Sequence, residues 1–159
     1  MAKRTLHARE GPSLSLPWLA ASCVMVLLIW GNSLVPGTGS GSLSLEVMSA
    51  IRSLLGSLGL PSGWVTNYLV RKTAHFTEYA VLGVLVSNAL GPAWARNPRA
   101  YLLVAAVLAL VPSIDETIQL FVPGRSGQVT DVLLDCCGAA TGAVLRALVV
   151  RARGGQTRV

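Results

Sequence analysis

Four apolar stretches divide this chain, residues 17–34, 71–90, 100–121 and 130–150, and each is long enough to cross a bilayer as a helix. A hydrocarbon core about 30 Å thick needs about 20 residues of helix. In lipid, each such segment must satisfy its own backbone amides and carbonyls. The breaks between stretches fall on helix stop signals. Pro17 suits a first helical position, Gly91-Pro92 closes the second stretch and Pro123-Gly124 closes the third. With 52% hydrophobic residues and 13% charged, an ordinary soluble domain is excluded. The expected fold is all-α, a bundle of about four transmembrane helices over residues 17–150 between basic tails at 1–16 and 151–159.

The connection between the first two stretches is about 35 residues long and opens with Pro36-Gly37-Thr38-Gly39-Ser40-Gly41-Ser42, a composition that reads as flexible. After it, Leu45, Met48, Ile51, Leu55 and Leu58 recur at helical spacing, with Glu46, Ser49, Arg52, Ser53 and Ser57 opposite them. That pattern predicts a short amphipathic helix over 44–59, too polar to span. It is expected on the extracytoplasmic side, lying on the membrane surface or packed against the spans.

Loops rich in Lys and Arg stay cytoplasmic, and here they fall before the first span (Lys3, Arg4, Arg9), between the second and third (Arg96, Arg99) and at the end (Arg146, Arg151, Arg153, Arg158). Both termini are therefore expected in the cytoplasm. The net charge of +6 then reflects topology and anionic lipid headgroups, with no aromatic-basic interleaving to suggest nucleic acid. The first stretch reads as an uncleaved anchor, because no small-x-small site follows Trp30. Cys23, Cys136 and Cys137 lie inside apolar spans and read as small hydrophobes rather than disulfide or zinc residues. Trp18, Trp30, Trp64 and Trp94 read as anchors at the membrane boundary, and His7 as a solvated residue of the basic tail.

Against this background nine residues stand out: Lys72, His75, Glu78, Asp115, Glu116, Gln119, Arg125, Asp131 and Asp135 lie in or beside the spans. A charge at the bilayer centre costs about 2.5 to 3.5 kcal/mol on insertion scales, so these groups must pair, hydrate or hold a ligand. The topology puts all of them in the outer half. Lys72, His75, Glu78 and Tyr79 share a face of the second span, and Asp131 and Asp135 lie one turn apart on the fourth. On the third, Asp115 and Gln119 share a face while Glu116 is about 100° away, so the two acids are expected to serve different neighbours. Pro112 removes an amide and frees the carbonyl of Leu108, and a kink there would tilt Asp115 and Glu116 inward. Gly138 and Gly142 have the small-x-x-x-small spacing that lets helices approach closely. Lys72 with Asp131, His75 with Glu116 and Arg125 with an acid are the expected pairs.

These residues also carry a resemblance. Arg71-Lys72-Thr73-Ala74-His75-Phe76-Thr77-Glu78-Tyr79-Ala80-Val81-Leu82-Gly83 is similar to the first signature of the VanZ-like family of bacterial membrane proteins. Asp115-Glu116-Thr117-Ile118-Gln119-Leu120-Phe121-Val122-Pro123-Gly124-Arg125 resembles its second, and Asp131-Val132-Leu133-Leu134-Asp135-Cys136-Cys137-Gly138 with Gly142 its third. The resemblance as a whole covers about residues 20 to 150. The family commonly has Asn at the position of Asp135, so this chain departs from it there. The resemblance implies a cell-envelope protein of the bacterial cytoplasmic membrane, and the family's named member is linked to low-level resistance to teicoplanin.

Three functions remain open on the residues. One is a pocket facing outward that binds an amphiphile, either a lipid-linked cell-wall component or a lipoglycopeptide, with Arg71, Lys72, Tyr79, Gln119, Arg125 and Asp135 as ligand-binding groups. Another is an enzyme acting on such a lipid, with His75, Glu78, Glu116 and Asp131 as candidate catalytic groups, and a divalent cation held by carboxylates chemically allowed. The third, a proton or ion carrier, fits paired acids, but the chain has few spans and no inverted repeat. Pro112, Asp115, Gly124, Gly138 and Gly142 are the expected structural support. No G-x-S-x-G, P-loop or zinc signature is present in the sequence.

Overall fold

In the computed structural model, residues 14–91, 94 and 97–156 are described, and they form five helices and no strand. These are α1 (Leu16–Ser33), α2 (Gly37–Ser57), α3 (Asn67–Ala89), α4 (Pro98–Gln119) and α5 (Val129–Gln156). The basic residues Lys3, Arg4, Arg9, Arg96 and Arg158, together with His7, lie outside the described residues. Among the described helices α1, α4 and α5 are long and apolar enough to cross a membrane. Their outward surfaces suit lipid: Leu27, Leu28, Leu102, Leu103, Leu110, Leu145 and Leu148 are all more than half exposed, a pattern that water penalises.

Start signals set the ends of the elements. Thr66 caps α3, its hydroxyl accepting from the Leu69 amide at 3.1 Å, so the helix begins a turn before Arg71. Asn97 caps α4 by accepting from the amides of Arg99 and Ala100. Pro98 then takes the first helical position, where its missing amide costs nothing.

α3 is the centre of the bundle. Its most extensive partner is α5, followed by α1, and the approach to α5 depends on glycine. A Cβ on Gly138 would meet the backbone of Phe76, one on Gly142 the carbonyl of Ala80, and one on Gly83 the carbonyl of Ala139. Small residues at these crossings bring the two backbones into contact. Toward the end away from Arg71, the core is apolar, built from Ile29, Leu82, Val86, Trp94, Val104, Leu108 and Ala139.

α4 runs without interruption through Pro112, and both Asp115 and Glu116 face the interior. The carbonyl that Pro112 leaves free, that of Leu108, accepts from the Cys136 thiol at 3.7 Å. Two of the tryptophans read as boundary anchors also have internal partners. Trp94 is buried and stacked on Tyr101, and the Trp30 indole donates to the Val111 carbonyl at 3.3 Å.

The Gly/Ser-rich segment is not a flexible linker, because α2 begins at Gly37 and includes it. The Gly37 amide donates to the Pro123 carbonyl at 3.0 Å, and its Cα lies against Gly124, which adopts a left-handed φ of 73°. A side chain at Gly37 would strike the Gly124 carbonyl. The two glycines thus dock the start of α2 on the α4–α5 turn, a tertiary contact that outweighs glycine's low helix propensity.

Candidate functional site

The ends of the helices place the polar residues. The α1 start meets the α3 end, where the Ser15 amide donates to the Ala89 carbonyl at 2.8 Å. At the opposite end the α4–α5 turn reaches α1 through Arg125. The end of α1, the start of α3, the end of α4 and the start of α5 therefore gather on one side of the bundle, and each contributes polar groups there.

A cavity of about 250 Å³ opens at that end, lined by Asn67, Tyr68, Arg71, Lys72, His75, Gln119, Ser126, Gln128 and Asp131. Lys72 forms an ion pair with Asp131 and lies 5.2 Å from the centre of the Tyr68 ring. Arg71 also lines the cavity, and no carboxylate among the described residues forms a salt bridge with it.

Below the cavity the acids converge. His75 from α3, Asp115 and Glu116 from α4 and Asp135 from α5 each bring one potential ligand atom to within 4.8 Å of the others. Asp115 and Asp135 are fully buried, and Glu116 is 4% exposed. Gln119 lies across the group, its amide reaching Asp115 Oδ2 at 3.3 Å, Glu116 Oε1 at 3.2 Å and Ser33 Oγ at 3.4 Å. The Gln128 amide donates to Glu116 Oε2 at 2.8 Å. Asp115 Oδ1 and both oxygens of Asp135 have no hydrogen-bond partner. The Tyr79 hydroxyl lies beside Asp115 but outside hydrogen-bond geometry. Two carboxylates that are charged and 4.8 Å apart repel by roughly 3.5 kcal/mol even at an effective dielectric of about 20. Protons or a cation must offset that repulsion.

Two of the expected pairings are corrected. The partner of His75 is Asp135, whose Oδ2 is 3.8 Å from Nδ1, and Glu116 is held by Gln119 and Gln128. The reason is the side from which each helix approaches: α5 packs directly on α3, whereas α3 touches α4 only slightly. Among the described residues Arg125 forms no ion pair with an acid. Its guanidinium donates to the carbonyls of Asn32 at 2.6 Å and Val35 at 3.0 Å, closing the end of α1 where helical carbonyls lack amide donors. Burial and nearby Arg71 both pull the Arg125 pKa down, and Asp115, Glu116 and Glu78 oppose them.

The remaining sequence candidates divide. Asp115 and Glu116 are in one cluster rather than serving separate neighbours. Glu78 lies apart from it and lines an apolar groove of about 590 Å³ with Met25, Val47, Ile51, Trp64, Val65 and Leu69. Gly124 positions α2, and Gly138 and Gly142 set the α3–α5 approach. Sequence reasoning missed Ser33, Asn67, Tyr68, Ser126 and Gln128. Ser33 is a polar residue that ends an apolar span and is 1% exposed. The run Arg125-Ser126-Gly127-Gln128, four residues without an apolar side chain between two spans, was the available signal for the last two.

A family model described as VanZ/LLP1 matches residues 18–150. No curated protein and no solved structure matches the chain. The match takes in α1 through most of α5 and every residue of the cavity and the acid cluster. With apolar helices suited to a bilayer and a family match over most of its length, the chain is a membrane protein that belongs to the VanZ/LLP1 family.

Proposed function

We propose that this protein binds an anionic amphiphile of the bacterial cell envelope, its headgroup seated in the polar cavity at the extracytoplasmic end of a four-span bundle. In this reading α3 is the fourth span. It is 23 residues long, about 34 Å of helix, and Arg71, Lys72 and His75 line the polar cavity instead of facing lipid, with Glu78 at the edge of the apolar groove. Both termini are cytoplasmic, α2 lies on the outer side, and the protein crosses the cytoplasmic membrane. Arg151 and Arg153 lie in the last turns of α5, toward the end opposite the cavity, and Arg146 donates to Asn88 near the end of α3, in keeping with basic residues staying inside.

The observation that carries the reading is Arg71. Its guanidinium stands on the cavity wall without a carboxylate partner among the described residues, whereas neighbouring Lys72 is already paired with Asp131. A planar fork of donors suits a phosphate or carboxylate headgroup. A lipid-linked cell-wall component or a lipoglycopeptide such as teicoplanin has the required combination of polar and apolar parts, which is how a role in glycopeptide resistance would arise.

The test is thermal stability of the purified protein in neutral detergent, titrated with anionic and zwitterionic amphiphiles of equal chain length. Anionic amphiphiles are expected to raise the melting temperature, and Arg71→Gln to remove that rise. Equal shifts from both headgroups, or an unchanged response in the variant, would sink the reading. A second reading is favoured by His75, which lines the cavity and also borders the acid cluster. That placement suits a membrane hydrolase or transferase acting on the bound headgroup, and turnover of a lipid-linked substrate that Glu116→Gln abolishes would select it.

A further inference from the structure

We infer that His75, Asp115, Glu116 and Asp135 form a binding site for one divalent transition-metal cation of the zinc or manganese type, seated beneath the polar cavity. The inference does not rest on the amphiphile reading. It rests on four residues from three helices bringing their ligand atoms together beside buried oxygens that accept no hydrogen bond.

The buried oxygens without a hydrogen bond are the independent observation. Asp135 is fully buried and neither of its carboxylate oxygens accepts a hydrogen bond, and Asp115 Oδ1 is in the same state. Buried acceptors are ordinarily satisfied, so three within one cluster call for an electropositive occupant. Existing hydrogen bonds leave the same oxygens free. Gln119 takes Asp115 Oδ2 and Glu116 Oε1, and the Gln128 amide takes Glu116 Oε2. Outer contacts of this kind fix the orientation of ligating carboxylates in metal sites.

The spacing fits. His75 Nδ1 and Asp135 Oδ2 are 3.8 Å apart, too far for a hydrogen bond. Two metal–ligand bonds of about 2.1 Å span from about 3 Å at a right angle to about 4.2 Å in line, so a cation between these atoms reaches both. The widest separation in the group, up to 4.8 Å, closes by roughly half an ångström for two opposed ligands and by about 1.4 Å for a tetrahedral shell, movements that side-chain rotation supplies. The ligand chemistry selects the ion. One imidazole with three carboxylates and no thiolate suits zinc or manganese, whereas calcium and magnesium favour all-oxygen shells. His75 and Gln119 also line the cavity, so the site has an entry path and its ion would face a bound headgroup.

The experiment uses the full chain purified in detergent, stripped with chelator and titrated calorimetrically with Zn²⁺ and with Mn²⁺, without added amphiphile. The expected result is about one equivalent bound per chain, tighter for Zn²⁺ as the general affinity order requires, with a rise in melting temperature. His75→Gln and Asp135→Asn should each weaken binding at least tenfold, while Glu46→Gln, a carboxylate change on α2 remote from the cluster, binds as the wild type does. A wild-type protein that takes up neither ion overturns the assignment whatever the variants do. So does binding that survives both substitutions unchanged, or a site that takes only Ca²⁺ or Mg²⁺. Because no amphiphile is present, failure here leaves the headgroup reading standing, and its failure would leave this one.

Discussion

Cys136 on α5 donates its thiol to the carbonyl of Leu108 on α4, 3.7 Å away, and that carbonyl is free because residue 112 is proline. An imperfection in one helix is thus answered by a side chain from another, and α4 passes through Pro112 unbroken. In lipid, where water cannot reach a stray carbonyl, such a partner matters more than it would at a wet surface.

The two positions should therefore be coupled. Cys136→Ala is expected to cost about 1 kcal/mol, from a weak hydrogen bond and a small loss of packing. Pro112→Ala supplies the missing amide, so in that background the cost of Cys136→Ala should fall by about 0.5 kcal/mol or more. A double-mutant cycle on unfolding free energy measures this directly, and strict additivity would refute the coupling.

The α3–α5 crossing leaves no room for added volume. At Gly142 an added methyl runs into the Ala80 backbone, which cannot rotate aside, whereas at Gly31 it meets nothing within 4 Å. Gly142→Ala is predicted to destabilise by roughly 2 kcal/mol or more through overpacking. Gly31→Ala should be neutral or stabilising by up to about 1 kcal/mol through helix propensity. Melting temperatures of the two variants in detergent separate these outcomes, and similar values for both would contradict the packing argument.

How much of this could be read from residues depends on whether the relevant force is local. Asp115, Glu116, Asp131 and Asp135 announce themselves, because ionisable side chains among apolar ones are visible at any register. Which of them meet is a different matter. The pairing of His75 with Asp135 instead of Glu116 follows from how α5 packs on α3, and no spacing along one helix encodes that. The helix across Gly37 to Ser42 was hidden for the same reason, since the contact with Pro123 and Gly124 that holds it comes from residues more than 80 positions away. The contacts of Trp30 with Val111 and of Trp94 with Tyr101 were out of reach likewise, because each partner lies on another element.

Arg125 provides a test of structure against ligand binding. Its two bonds to the Asn32 and Val35 carbonyls tie α1 to the α4–α5 turn, so Arg125→Gln is expected to cost about 1.5 to 3 kcal/mol of stability, the range for a hydrogen bond to a charged group. Lysine should restore only part of it, because an ammonium lacks the planar fork that reaches both carbonyls. If Arg125 acts in this way, the less stable variant still shows the full rise in melting temperature with anionic amphiphile. Loss of that rise without loss of stability would make Arg125 a headgroup ligand instead.

The ion pair of Lys72 and Asp131 sits on the cavity wall with both side chains about one-fifth exposed, between the cases of a surface pair and a buried one. A pair at the surface contributes about 0 to 1 kcal/mol, but removing one partner of a buried pair leaves a charge without compensation and costs about 3 to 5 kcal/mol. Partial exposure predicts an intermediate loss, about 1 to 2 kcal/mol, for either Lys72→Met or Asp131→Asn. Asp131 also lies in the first turn of α5, where negative charge is favoured by the helix dipole, so the two losses should differ. Asp131→Asn forfeits the dipole interaction as well as the pair, whereas Lys72→Met keeps it. The double variant should accordingly be close in stability to Asp131→Asn alone. Full additivity in the melting temperatures would mean that the two charges stand side by side without stabilising each other.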